Sequence, residues 1–218
     1  MKNIFLILGV AFVFTGCASL KHQPLDAAAA ASLKDKPVAQ TARKLPDFAS
    51  MTAGKAVFGM LGAMAMISEG NGIIKDNNVP DPADAIAREL AAALSSAHGA
   101  KLGASAVSVS ADDADAVAAA AGSTARFVVD VQTINWSIVY FPTNWTHYRL
   151  IYTAKARLID TESKKVIAES FCTRVPNETP DSPSYDQLVG NGAAGLKKEL
   201  GLAGNECLAT MKEKMLAL

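Results

Sequence analysis

Ligands for a metal ion are scarce in this chain of 218 residues, which holds three cysteines and three histidines. His22, His98 and His147 stand far apart with no paired spacing, so no metal site is expected. Net charge is also absent. The 21 basic residues balance 21 acidic ones, leaving no basic field for nucleic acid and no acidic run of a solvating tail. Aromatic residues are 6% of the chain and much of its apolar half is alanine, which suits a helix-rich protein with one modest sheet. Nucleophilic hydrolysis lacks its parts. His147 is the sole histidine near the expected sheet, and no strand–turn–helix elbow sets a serine beside it. The chain is therefore expected to be no enzyme and to carry no cofactor. Paired carboxylates for glycoside cleavage stay open, because their separation is a spatial quantity.

Long hydrophobic runs are missing as well, and the longest terminal one is short. Lys2 supplies a positive n-region, and Ile4 to Phe14 is apolar over the length of a signal-peptide core, too short to span a bilayer as a helix. Thr15 and Gly16, both small, come directly before Cys17. The stretch Phe14-Thr15-Gly16-Cys17 resembles the lipobox of bacterial lipoproteins, with Phe14 standing where that family usually has leucine. The resemblance implies a signal peptide over residues 1–16 and a diacylglyceryl group on Cys17, which becomes the new N-terminus. No aspartate follows Cys17, which in that family's sorting logic implies the outer membrane, on its periplasmic side. Several acyl chains, at about 0.8 kcal/mol per buried methylene, make such an anchor effectively permanent.

An exported chain meets an oxidising compartment. The two remaining cysteines, Cys172 and Cys207, are accordingly expected to form a disulfide, the alternative being two buried free thiols. Residues 17–50 read as lipid anchor and flexible tether. Pro24, Pro37 and Pro46 interrupt alanine-rich and charged pieces that could bury little, and a coil of that length reaches about 30 Å. Residues 51–218 read as a single periplasmic domain.

Within it, residues 56–67 are apolar or glycine throughout. Val57, Met60, Leu61, Met64 and Ile67 share one helical face, and Gly59, Gly62 and Ala63 crowd another. Three readings fit: a helix or helical hairpin buried in the domain or its dimer, a segment that enters the membrane or lines an oligomeric ring, or a flexible loop. Asp81-Pro82-Ala83-Asp84 predicts a helix start, with Ile86, Leu90, Leu94 and Ala97 as its buried stripe and Gly99 as its stop. Residues 106–109 suggest a short strand. Asp112 to Ala121 suggests a helix whose acidic cluster serves the dipole and not a cation.

Phe127, Val129 and Val131 alternate, then Ile134, Trp136, Ile138 and Tyr140 continue on the opposite parity, which predicts a bulge near Gln132–Thr133. Tyr148 to Leu158 alternates cleanly, and Val166 to Cys172 returns. Tyr185, Leu188, Leu196, Leu200, Cys207, Met211 and Met215 recur at helical intervals, as two shorter helices or one long one broken by glycines. The fold class is α+β: an antiparallel meander of three strands plus one further short strand, helices on one face, and a closing C-terminal helix.

Over residues 81–218 this order is loosely similar to small periplasmic domains of accessory lipoproteins, including those related to curli-secretion channels and to the N-terminal domain of the Tol-system translocation protein. That resemblance implies a compartment and not an activity. The expected role is binding or envelope assembly at the membrane, with another envelope protein or a homo-oligomer as partner. The alternative is a subunit of an oligomeric channel or secretion complex that uses residues 56–67. Phe141 and Trp145, at a strand end and its loop, are the candidate partner surface.

Overall fold

The computed structural model describes residues 22–218, so the expected signal peptide over residues 1–16 and Cys17 lie outside the described residues. The architecture is a seven-stranded mixed sheet with helices on both faces. Its centre is the expected meander: β5 (Phe127–Phe141), β6 (Asn144–Asp160) and β7 (Lys165–Arg174), antiparallel and joined by short turns. The β5 bulge falls between Thr133 and Asn135, one residue from its expected place. Tyr148, Leu150, Tyr152, Ala154, Ala156 and Leu158 of β6 all point into the main core.

The meander is not the whole sheet, and here the expected fold needs correction. β1 (Pro37–Arg43) lies parallel to β5, with Val38 opposite Phe127, and also pairs in parallel with β3 (Lys101–Leu102) and β4 (Val107–Val109). β2 (Ala49–Met51) runs parallel to the far end of β5, with Met51 opposite Val139. Residues 22–50 are therefore folded and not a tether. His22 Nδ1 meets Ser170 Oγ at 2.9 Å, Gln23 exchanges both backbone hydrogen bonds with Glu169, and a short helix, α1 (Ala27–Ser32), follows. β1 escapes a composition argument because its partners are distant in sequence. Its small residues fill narrow space on two faces, Val38 in one core and Ala39 in the other.

Helices cover both faces. α4 (Pro82–His98) begins at its Asp81 cap, whose carboxylate accepts from Ala83 N, and stops at Gly99 in the left-handed region, φ 68°. With α6 (Tyr185–Met211) and a closing π-helical turn, η1 (Lys212–Leu216), it packs on the main face. α6 is two helices in practice, because Gly190–Ala193 leave helical geometry between them. α5 (Ala114–Ala121), capped by Asp113, covers the opposite face through Val117 and Ala121 against Val128 and Ile159. The expectation of helices on one face only is thus corrected: β5 has apolar residues on both sides over Phe127–Val131, and each side needs a cover.

Candidate functional site

One end of the sheet gathers the unusual surface. After β2 the chain turns through α2 (Ala53–Ala56) into α3 (Gly59–Asp76), which runs back along β2. Two glycines set that approach. A Cβ at Gly62 would stand 2.1 Å from the Lys55 carbonyl oxygen, and one at Gly70 2.0 Å from that of Phe48. Polar contacts clamp the base of this hairpin. Lys55 Nζ lies 2.5 Å from Glu69 Oε2, Ser50 Oγ is 2.9 Å from the Tyr185 hydroxyl, and Tyr185 donates to Glu69 Oε1. Burial pushes the Glu69 carboxyl up, but Lys55 and the Tyr185 and Ser50 hydroxyls outweigh it and hold the group below the usual carboxylate range. Burial, with the Glu69 bond added, pushes the Tyr185 hydroxyl up to about 12.

Beyond that clamp the hairpin tip is bare. No residue between Lys55 and Glu69 is charged, and Val57, Phe58, Met60, Leu61 and Met64 are 68 to 83% exposed. The reading of residues 56–67 as a helix buried inside the domain is therefore overturned: Met66 and Gly62 face inward, and the long side chains face out. A contiguous apolar projection of this kind is uncommon on a monomer's surface.

The β5–β6 turn stands at the same end, because β2 and β5 run in the same direction and Met51 is level with Val139. Trp145 is 66% exposed, its Nε1 donating to the Pro142 carbonyl at 3.1 Å and its ring set edge-on to Tyr140. Phe141 does not share that surface. It is buried, with the Arg149 guanidinium 5.1 Å from its ring centroid, so it supports the turn from beneath. Trp136 is a core residue whose indole donates to the Asp47 carbonyl at 3.1 Å and meets Phe48 edge-on, fixing the entry into β2.

The disulfide lies away from this end, on the helix-on-sheet seam. Cys172 of β7 and Cys207 of α6 are bonded, with α-carbons 5.3 Å apart.

A buried polar cluster on the α5 side escaped sequence reading. Asp130, 1% exposed, accepts from Arg43 Nε at 2.7 Å, Arg157 Nη2 at 2.5 Å and Thr41 Oγ1 at 2.9 Å. Burial raises its affinity for a proton, but the two guanidiniums prevail and hold it below the usual range. Its signal was an aspartate inside Phe127–Val131 with Arg157 directly opposite in the β5–β6 register. Asp81 shows the opposite balance: burial raises its carboxyl above the usual range, although Thr133 Oγ1 donates to it at 2.5 Å.

Two cavities border Asp81. One, of about 590 Å³, lies between α4 and α6 over Pro82, Ile86, Leu200 and Leu208, and its wall has no serine, threonine, cysteine, tyrosine or histidine. The other, of about 400 Å³, is lined by Arg43, Asp81, Asp84 and Asp112 among others. Among the described residues no group of three or more His, Cys, Asp or Glu is placed to hold a metal ion. His147 bonds Asn144 in the β5–β6 turn and His22 bonds Ser170, so the histidines are not brought together.

No protein-family model matches the sequence, and no curated protein matches it. Among solved structures it is similar to the PelC dodecamer from Paraburkholderia phytofirmans, at TM-score 0.40 and 12% identity over 91% of this chain and 99% of that one. A variant PelC dodecamer from the same organism gives 0.35 and 13% over 90% and 96%. Lipoprotein GNA1162 from Neisseria meningitidis gives 0.26 and 12% over 78% and 96%. At these scores and identities the likeness assigns neither a ligand nor an assembly state to this chain.

Proposed function

We propose that this chain is a non-enzymatic lipoprotein of the bacterial envelope, held by a diacylglyceryl group on Cys17 at the periplasmic side of the outer membrane and acting in binding or assembly. The observation that carries the reading is Phe14-Thr15-Gly16-Cys17 at the end of a short apolar run. The surface supports a binding or assembly role, since its outstanding feature is an exposed apolar projection. Trp145, set edge-on to Tyr140, is the partner-facing aromatic. Cys17→Ser should abolish lipid labelling and leave the precursor uncleaved by the lipoprotein peptidase. Normal maturation of that variant would return the chain to the class of ordinary secreted proteins.

A second reading takes the chain as a subunit of an oligomeric channel or secretion complex whose protomers meet through residues 56–67. The exposure of Val57, Phe58, Met60, Leu61 and Met64 favours it. Oligomeric state in detergent separates the two: a ring supports the second reading, a monomer or dimer the first.

A further inference from the structure

We infer that the α2–α3 tip is seated in the lipid leaflet that carries the Cys17 anchor, so that the domain lies against its membrane and does not hang from it. This rests on the lipid-anchor reading of Cys17 and adds what covers the exposed apolar surface.

The length of chain between Cys17 and the first described residue leads there. Cys17 is five residues upstream of His22, a stretch that reaches about 17 Å when fully extended. From His22 onward the chain is fixed: Gln23 pairs with Glu169, and Leu25 N donates to the Met215 carbonyl at 2.8 Å. The pairing is antiparallel, and the residue before Gln23 contacts Ser170, so the chain read backward advances along β7 toward Arg174. Arg174 is opposite Tyr152, toward the β5–β6 turn. Cys17 can therefore lie no more than about 17 Å from His22, which keeps the anchored bilayer surface close to this edge of the sheet.

The distances set the posture. His22 is level with Ser170, opposite Ala156, and the α3 clamp at Ser50 is level with Ile138, opposite Leu150. Six strand residues separate those levels, about 20 Å. From Glu69 back to Gly59 the helix extends about 15 Å more. The tip therefore stands about 35 Å ahead of His22, beyond the roughly 17 Å reach of the anchor. An upright domain would leave the tip too far forward. Leaning toward its β7 edge brings both to one surface.

What then meets the lipid is chemically suited to it. The tip has no charge from Ala56 to Ser68, and the β5–β6 hairpin has no Asp, Glu, Lys or Arg between Asp130 and Arg149. Phe58, Met60, Leu61 and Met64 can enter to about 5–10 Å, with Trp145 at the headgroup level. No described helix is long and apolar enough to cross a membrane, so this is seating in one leaflet. Glu178, bonded by Thr143 at 2.7 Å, borders the turn. With Lys55 at the base of the tip also paired to Glu69, attraction to anionic headgroups is weak, and the seating should persist at high salt.

The test uses the full lipidated protein in vesicles of phosphatidylethanolamine and phosphatidylglycerol. With Cys17 acylated and Cys172–Cys207 bonded, Leu61→Cys introduces the sole free thiol for an environment-sensitive fluorophore. Ser163→Cys, in the exposed β6–β7 turn at the opposite end, is the control. Nitroxide on the lipid acyl chains should quench the label at 61 by about twofold or more and leave that at 163 nearly unchanged, at low and high salt alike. An acylated protein whose label at 61 is quenched no more than that at 163 overturns this inference and leaves the anchor standing. Cross-linking of position 61 between copies without lipid quenching also overturns it and makes the surface an interface between protomers. Mass spectrometry finding Cys17 unacylated overturns the anchor reading and this inference together.

Discussion

Replacing Asp130 by asparagine removes the charge on which three strands converge. Arg43 of β1 and Arg157 of β6 both bind this carboxylate of β5, and Arg43 and Arg157 also hold the carbonyls of Ala111 and Asp112 ahead of α5. Arg157 is only 6% exposed, so Asp130→Asn leaves a guanidinium buried without its counter-charge. Losing one member of a buried pair costs about 3–5 kcal/mol. For a domain of this size each kcal/mol moves Tm by about 2–4 °C, so the variant should melt about 6–20 °C lower at pH 7. The pH dependence gives a second check. Asp130 is held below its unfolded value of about 3.9, so its stabilisation is fully present above that pH and is lost as pH falls through the folded value. Melting followed by circular dichroism should therefore show a constant gap between the two proteins from pH 7 to about 4.5, narrowing in more acid solution. A gap below about 2 °C at pH 7, or one that does not narrow in acid, would refute the account of the cluster.

Cys207→Ala opens a loop of 35 residues, and the chain-entropy relation gives a loss of about 3–4 kcal/mol. Hydrogen exchange should find residues 185–218 released before the β5–β6–β7 meander, and simultaneous release would count against the staple. Gly70→Ala should destabilise by about 1–3 kcal/mol, because its Cβ would overlap the Phe48 carbonyl and push α3 off β2. Gly72→Ala, which meets nothing within 4 Å, is the matched control and should be neutral or slightly stabilising.

What sequence made legible was local. Asp81-Pro82 and Gly99 bound α4 because a cap, a proline and a left-handed stop act within a few residues of themselves. Alternation exposed β6, one face of which is core, and the short polar turn to β7. The disulfide followed from compartment together with two cysteines on surfaces that could meet. β1 was hidden because parallel pairing draws on partners some sixty to ninety residues away, and Pro37, Ala39, Gln40 and Ala42 have little strand preference of their own. The Asp130 cluster needed the β5–β6 register before its two charges could be seen as neighbours. Residues 56–67 look alike in sequence whether they face a core, a second copy or lipid. The close approaches at Gly62 and Gly70 and the burial of Met66 show which side faces out.

The most direct test of the account is the thickness of water between protein and bilayer, measured by neutron reflectometry on the lipidated chain in a supported membrane. With His22 five positions downstream of Cys17, and the α2–α3 tip in the leaflet, protein density should begin at the headgroups with no resolved water layer. A hydrated gap of about 20–30 Å, as a long flexible tether would give, would contradict it.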